Sequence, residues 1–386
     1  MARVELLYKW LAREADAPTD EILAAALANA EPEYVARIAA LLLDRRREAA
    51  WAGLVANYHR LAPEQQQRMQ KRPELTRAGI AAAIKSPLPM ARQNALALLG
   101  DQPCAQLAYL AAEALRDPSV HVREGAAWAL RRAAEFALTA NAVQRGEVAA
   151  ALRQALRTFD LHGRLDVLEG CLWLARDLGE GLWEMLSDPH ARCGRVVAQH
   201  LGEWDNPRLA GFLLLALARP AWRPPAQAVL DSWSRPAELV ALVENSDLLD
   251  DPTVQHGLRH LRRPAWFLAA DAALEALPAE VRGRLPYWVR YLGFSDEERR
   301  RYLERCLARP WPEMQRGAVH VLAAAGDAEA DQILVHLARS RGSAGRFARW
   351  YLAGRRVLAR LGWTQRGEPP TARSAGSPQE VAGWKR

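Results

Sequence analysis

The stretch "DPSVHVREGAAWALRRAAE", from Asp117 to Glu135, predicts one helix together with its start signal. Asp117 is the expected N-cap, because its carboxylate can accept hydrogen bonds from the free amides of the first helical turn. Pro118 suits the first helical position, where no amide donor is required. A single apolar stripe then recurs every three to four residues and predicts a buried face: Val122, Ala126, Ala129, Leu130, Ala133 and Ala137.

The same unit, a proline followed by a helix of small apolar residues, returns along the chain. It occurs in "SPLPMARQNALALLGD" (86–101), "DPHARCGRVVAQHLGEWD" (188–205), "DPTVQHGLRHL" (251–261) and "RPWPEMQRGAVHVLAAAGD" (309–327). The interval from Pro87 to Pro118 equals that from Pro189 to Pro220, and the interval from Pro220 to Pro252 is only one position longer. Each interval has room for about two helices, and helical hairpins that repeat at roughly 30 to 40 residues are typical of α-solenoids.

Residues 114–130, "ALRDPSVHVREGAAWAL", resemble a HEAT repeat, in which a turn Asp and an Arg early in the second helix form a ladder along the stack. Asp117 and Arg123 match these two places, and Arg92 matches the second place in the preceding unit. The resemblance implies an all-α fold, a right-handed α-solenoid of stacked helical hairpins. It also implies a habit of binding other molecules, and no particular reaction.

We divide the chain into three parts. Residues 1–85 are assigned as N-terminal helical repeats from helical periodicity alone, and residues 86–363 are assigned as the HEAT-like array. Residues 364–386 are rich in Gly, Pro and Ser and poor in core residues, which predicts a flexible tail.

The net charge of +7 is concentrated near the C-terminus. Of the 52 basic residues only four are Lys, and this Arg bias, with abundant Ala, is typical of a GC-rich genome such as that of many bacteria. Residues 281–363 hold 16 Arg against 8 Asp and Glu, so this basic quarter carries a local charge of +8. It is the place where nucleic-acid binding would be sought.

The rest of the composition indicates a soluble cytoplasmic protein. The N-terminal stretch "MARVELLYKWLAREADAP" contains no uninterrupted apolar core and includes Glu14 and Asp16, unlike a signal peptide. The apolar run from Gly211 to Ala218 is too short to span a bilayer. The four cysteines show no CxxC spacing and suggest reduced thiols.

The polar face of the opening helix carries an unusual tryptophan. Stepping 100° per residue places Trp128 and Arg131 opposite the apolar stripe. The stretch "VLEGCLWLARD" (167–177) repeats the pair as Trp173 and Arg176. Because second helices line the concave surface of HEAT-like solenoids, we expect these residues there, joined in the later repeats by Arg195, Gln199, Arg259, Arg262, Arg316 and His320.

Two interpretations of these tryptophans stay open. A Trp in a solenoid commonly packs between repeats, with its indole amide bonded to a carbonyl. A Trp flanked by Glu and Arg on a polar face, twice in register, is also the kind of residue enriched at binding hot spots.

No catalytic motif, metal site or cofactor fingerprint is present in the sequence. His256 and His260 stand at i, i+4 without the Glu of a zinc-protease helix, and they are expected to be surface histidines. We therefore expect a non-catalytic scaffold that binds another protein on its concave surface, without cofactor or membrane. The alternative is nucleic-acid binding, weak and non-specific or as in alkylpurine DNA glycosylases. Those HEAT-like enzymes use Trp, Arg and Asp, which Trp128, Arg131, Trp173, Arg176 and Asp177 resemble in type.

Overall fold

The computed structural model describes residues 9–14, 16–204, 206–261 and 271–360, and no β-strand occurs among them. The chain divides into two compact units, Met1–Leu215 and Ala216–Arg386. Within the described residues, no helix combines the length and apolar character needed to cross a membrane. Residues 364–386, where a flexible tail is expected, lie outside the described residues, and the three-part division stays a prediction.

The first unit contains fourteen labelled helices within its described residues. They are α1 (Ala17–Asn29), α2 (Pro32–Asp44), α3 (Glu48–Ala56), α4 (Pro63–Gln70), α5 (Pro73–Ala83), α6 (Pro89–Asp101), α7 (Ala108–Ala114), α8 (Val120–Ala137), α9 (Ala142–Arg157), α10 (Phe159–His162), α11 (Leu165–Trp173), α12 (Ala175–Leu178), α13 (Glu180–Ser187) and α14 (Arg192–His200). Helix α15 (Ala210–Leu217) leads from this unit into the next.

The second unit continues with nine more helices in its described part. They are α16 (Arg223–Ser232), α17 (Pro236–Glu244), α18 (Pro252–Leu258), α19 (Asp271–Glu275), α20 (Ala279–Trp288), α21 (Asp296–Ala308), α22 (Pro312–Ala325), α23 (Ala328–Ala338) and α24 (Ser343–Arg360). Short 3-10 turns at Tyr58–Arg60, Ala105–Leu107, Pro207–Leu209 and Ser246–Asp250 connect helices in the two units.

The helices pack as hairpins whose second helices touch from one repeat to the next. Helix α7 pairs with α8, and α9 pairs with α11, while α6, α8 and α11 lie side by side. The apolar stripe predicted for α8 is confirmed, because all six of its side chains are buried. A face built mostly of alanine lets neighbouring helices approach closely. In the second unit, α20 packs on α22 and α22 on α24 in the same way.

An ion pair joins two successive repeats of the first unit. The Arg92 Nε and Nη2 atoms lie 2.7 and 3.0 Å from the two carboxylate oxygens of Asp117. The Arg92 Nη1 atom also donates to the carbonyls of Ser86 and Pro87, at 2.8 and 2.9 Å. Arg123 makes the same bonds in the next repeat, to the carbonyls of Asp117 and Pro118 at 2.8 and 3.0 Å. The chain is thus an all-α solenoid of HEAT-like repeats, and the expected fold class is confirmed.

The start of α8 differs from the prediction. The helix begins at Val120 with Ser119 as N-cap, not with Asp117 and Pro118. The reason is that the Arg123 guanidinium occupies the carbonyls of Asp117 and Pro118, so the first backbone bond runs from the Arg123 amide to Ser119. Asp117 caps the turn instead, because its carboxylate accepts from the Ser119 amide at 2.8 Å.

Close helix contact in the second unit depends on glycine. A Cβ atom built on Gly317 of α22 would lie 2.4 Å from the carbonyl oxygen of Gly283 on α20. No side chain fits at that distance, so glycine at this crossing sets the spacing of the two helices. Next to Gly283 on α20, Arg282 pairs with Glu313 of α22 at 2.8 Å. This ion pair joins two repeats, as the Arg92–Asp117 pair does in the first unit.

Candidate functional site

The exposed face of α8 places Trp128 on the surface of the first unit. Its side chain is 37% exposed, whereas neighbours on the opposite side of the helix are buried. The ring lies over Gly100 of α6, where a Cβ would stand 2.0 Å from the Trp128 Cζ3 atom. Trp128 therefore does two things at once: it covers the backbone of the preceding repeat and leaves more than a third of its surface to solvent.

Trp173 is placed differently, although its sequence context is similar. It is the last residue of α11 and is only 6% exposed. The guanidinium carbons of Arg131 and Arg208 lie 5.6 and 4.9 Å from the ring centroid, within the range of cation–π attraction. The indole Nε1 is buried, and no acceptor for it is found among the described residues. The two arginines thus cover a ring that would otherwise be open on this face.

Carboxylates hold both arginines in place. Arg131 pairs with Glu169 at 3.2 Å, and the Asn206 Nδ2 atom donates to the same carboxylate at 2.8 Å. Arg208 pairs with Glu135 of α8. Burial raises the pKa of the Glu135 carboxyl, but hydrogen bonds and charge from Arg208 and Arg132 outweigh it and lower the pKa overall. We call Arg131, Glu135, Glu169, Trp173 and Arg208 the Trp173 cluster.

The predicted partner of Trp173 lies on a separate short helix. Helix α11 ends at Trp173, and Arg176 follows on α12, where it is exposed. The continuous i, i+3 spacing of Trp128 and Arg131 within α8 is therefore not repeated. Asp177, which has the residue type of a glycosylase carboxylate, lies 3.6 Å from Arg145 of α9 instead of joining the Trp173 cluster.

A row of exposed apolar side chains near the beginnings of successive second helices was not predicted from the sequence. Two lie at α6, one begins α8, one lies on the short helix α10 and one begins α11: Leu88 and Met90, Val120, Leu161, and Leu165. The signal that could have revealed them in the sequence is an apolar residue near the start of the second helix in successive repeats. Together with Trp128 and the Trp173 cluster, this row forms what we call the second-helix face.

The remaining candidates divide between the two units. Arg195 and Gln199 are exposed on α14 of the first unit. In the second unit Arg259 is exposed just after α18, and Arg316 is exposed on α22. Arg262 lies outside the described residues. Whether any of them binds a partner stays a prediction.

His320, the last candidate, lies in an aromatic group rather than alone on a surface. Its Nδ1 atom bonds the Tyr351 hydroxyl of α24, and its ring centroid is 5.2 Å from that of Tyr287 on α20. Burial lowers the pKa of His320, and the positive charge of Arg290 lowers it further. The histidine of α22 is therefore held mainly neutral, with a tyrosine of α20 and a tyrosine of α24 against its ring.

Many arginines of the basic quarter have partners within the protein. Six of them form ion pairs with carboxylates: Arg282, Arg284, Arg299, Arg300, Arg301 and Arg355. Arg349 donates to the carbonyls of Ala338 and Ser340 at 2.7 and 2.9 Å. Many arginines of this quarter are thus paired with carboxylates or carbonyl groups of the second unit itself.

The described residues contain no group of three or more His, Cys, Asp or Glu side chains that could hold a metal ion. The His256 and His260 rings meet edge to face at 5.3 Å, and the Arg223 Nη1 atom lies 3.2 Å from the His260 Nε2 atom. Burial raises the pKa of Cys171 above its ordinary value and that of Cys306 to about 12, so neither thiol ionises near neutral pH.

Comparison with known proteins gives only distant structural likenesses. No protein-family model matches the sequence, and no curated protein matches it. Among solved structures it is similar to Kap121p bound to Ste12p (14% identity, TM-score 0.27), Kap121p alone (15%, 0.28) and Kap121p bound to RanGTP (15%, 0.26). Each match covers 90% of this chain and 41% of the other, so the chain spans less than half the length of those proteins.

Proposed function

We propose that the chain is a non-catalytic scaffold that binds another protein on its second-helix face. The observation that carries this proposal is Trp128, a large ring that stays 37% exposed on a helix whose repeat neighbours also expose apolar side chains. Rigid aromatic residues with adjacent apolar area are the usual anchors of protein interfaces. In HEAT-like solenoids the second helices line the concave side, and we place the binding surface there.

The Trp173 cluster supplies the polar part of this face. Arg131 and Arg208 are each 40% exposed, so both can contact a partner while their carboxylate partners orient them. A guanidinium held in place loses less conformational freedom on binding than a free one. The face therefore combines an aromatic anchor, an apolar row and oriented cations, which suits an amphipathic protein segment.

Capture from cells of the native organism, followed by mass spectrometry and binding measurements, tests the proposal. The wild type and Trp128→Ala are compared with Tyr109→Ala, which removes an exposed ring from α7, the first helix of its hairpin. We expect a protein captured by the wild type and by Tyr109→Ala to bind Trp128→Ala about tenfold more weakly or worse. Equal binding to all three proteins would exclude the second-helix face.

Nucleic-acid binding is the second candidate, and α24 is the place that favours it. Trp350 is 71% exposed, and Arg346 and Arg356 on the same helix are also exposed. An exposed ring among arginines can stack on a base while the cations contact phosphates. The extensive ion pairing elsewhere in the basic quarter makes this the weaker candidate.

A further inference from the structure

One cavity of the second unit is lined by an arginine that forms no ion pair with any described residue. The cavity has a volume of about 560 Å³ and lies between the end of α20, the start of α21, the end of α22 and the start of α23. Its walls include Leu303, Val321 and Leu322, and its rim is charged. We call it the Arg290 cavity. A cavity of this size with apolar walls and a few polar groups has the dimensions of a small-molecule site.

Arg290 is the one arginine of the rim that has no ion pair among the described residues. Three arginines and three acidic residues line the cavity, so the count alone suggests neutrality. Arg299, however, pairs with Asp296 at 3.1 Å, and Arg300 pairs with Glu329. These four residues neutralise one another in pairs.

The third acidic residue, Asp327, keeps its charge but forms no ion pair with Arg290, and it caps its own helix. Its Oδ1 atom accepts from the Ala330 amide at 2.7 Å as the N-cap of α23. Among the described residues Arg290 has no ion pair, and its one close ring contact is Tyr287, 6.0 Å from the guanidinium carbon. A half-buried guanidinium therefore lies beside the cavity without a directly paired carboxylate in this part of the chain.

Two guanidinium nitrogens of residues that line this cavity lack an acceptor within the described ranges. The Arg290 Nη2 and the Arg299 Nε are both buried and make no hydrogen bond there. A buried donor without an acceptor is unfavourable, and a charged donor is more so. Because both residues line one cavity, an oxygen ligand there can satisfy these donors once the guanidinium groups turn toward it.

We propose that the Arg290 cavity binds an organic carboxylate, whose oxygens pair with Arg290 and whose apolar part lies against Leu303 and Val321. The apolar walls favour a carboxylate with a hydrocarbon body over a bare inorganic anion, because burial of that body adds hydrophobic free energy. The carboxylate can belong to a free organic acid or to an acidic side chain of a bound protein. This site is independent of the second-helix face of the first unit.

His320 provides a local readout, since the charge of Arg290 acts on it. Benzoate, as the free acid, and the peptide acetyl-Glu-Glu-Glu-amide, as the side-chain source, are titrated separately while the histidine ring resonances are followed by NMR. Binding of either carboxylate neutralises Arg290, so the pKa of His320 rises. Tighter binding of benzoate identifies a small-molecule site, and tighter binding of the peptide identifies a docking point for an acidic segment.

Three variants complete the test. Arg290→Met is expected to weaken benzoate binding by on the order of tenfold or more, because it removes charge-assisted hydrogen bonds. Its His320 pKa should be raised already and should not respond to ligand. Arg290→Lys keeps the charge and should restore part of the response. Arg305→Met removes an exposed arginine from α21 outside the cavity and should behave as the wild type.

Two results would overturn the proposal. In the first, neither benzoate nor the peptide changes the His320 resonances of the wild type, which means that the cavity holds only water. In the second, Arg290→Met responds to carboxylates as strongly as the wild type does. Circular dichroism of each variant establishes whether it is folded. If Arg290→Met is not folded, Arg290→Lys still tests the proposal.

Discussion

Replacing Asp117 with Ala removes the link between two repeats in one step. The substitution deletes the two carboxylate acceptors of Arg92 and the acceptor of the Ser119 amide. The Asp117 and Arg92 side chains are only 9% and 13% exposed, so little water is available to replace the lost partners. Arg92 keeps its bonds to the carbonyls of Ser86 and Pro87, which limits the damage.

The expected loss follows from these contacts. Removing the cap of the Ser119 amide costs about 1 kcal/mol. Breaking one side of a buried, hydrogen-bonded ion pair costs about 3–5 kcal/mol when nothing compensates. Because Arg92 retains two carbonyl acceptors, we expect a total loss of about 3 kcal/mol for Asp117→Ala. Asp117→Asn keeps a neutral acceptor and should lose about half as much.

Urea unfolding measures the loss, and native-state hydrogen exchange localises it. Because the chain has two units, exchange should rise in α6, α7 and α8 while the second unit is unchanged. The double variant Arg92→Met/Asp117→Ala should be less destabilised than the sum of the single variants by about 1–3 kcal/mol.

The pH dependence provides a second check on Asp117. Burial raises the pKa of its carboxyl, but bonds from Arg92 and the Ser119 amide, with the charges of Arg92 and Arg123, lower it below 3.8 overall. The carboxylate therefore stabilises the fold above about pH 4, and this part is lost as the pH falls through the folded-state pKa. A loss below about 1 kcal/mol with no coupling to Arg92 would refute the ladder. A stable variant that fails to bind its partner would make Asp117 a binding residue.

Three further predictions concern the tryptophans, the N-terminal repeats and the basic quarter. Trp173→Ala should cost about 3–5 kcal/mol in chemical unfolding because the ring is buried, and Trp128→Ala about 1 kcal/mol; equal losses would contradict their different burial. Asp20→Ala should cost about 3 kcal/mol, since its fully buried carboxylate pairs with Arg45, whereas Asp44→Ala, with a 70% exposed carboxylate, should cost less than about 1 kcal/mol. Gel shifts at two salt concentrations should show only weak DNA or RNA binding that disappears near physiological salt. Submicromolar binding at the higher salt would favour the nucleic-acid function if it is lost on replacing Arg346, Arg349 and Arg356 with Glu.

Helix type and core were predictable from the sequence because they depend on local periodicity. The stripe from Val122 to Ala137 needed only a helical period to be assigned to the core. The recurrence of the repeat was also visible, since Pro87 and Pro118 precede helices with equivalent arginines. The sequence nevertheless suggested Asp117 and Arg123 as the pair, whereas Arg92 of the preceding repeat holds the carboxylate. Short-range spacing does not distinguish a bond within a repeat from one between repeats.

The burial of Trp173 could not be predicted from the sequence, because it depends on a residue that is distant along the chain. Alignment with Trp128 placed both rings on one exposed face, and α11 does carry Trp173 at the corresponding position. The residue that covers it, Arg208, comes from a later 3-10 turn, Pro207–Leu209, that shows no helical periodicity. The exposure of a side chain depends on such distant neighbours. For that reason Trp128 is exposed and Trp173 is buried, although they occupy corresponding positions in two repeats.

The link between Arg92 and Asp117 has a consequence for how the array can grow. Residues 89–119 contain one Arg that bonds backward to the preceding turn and one Asp that receives that Arg. A tandem duplication of this segment would leave both copies of Arg92 and Asp117 matched, because Arg123 would meet the second copy of the turn as it meets the first now. A shorter or longer insertion would leave one charge stranded. The geometry therefore admits lengthening by whole repeats and selects against fractions of one.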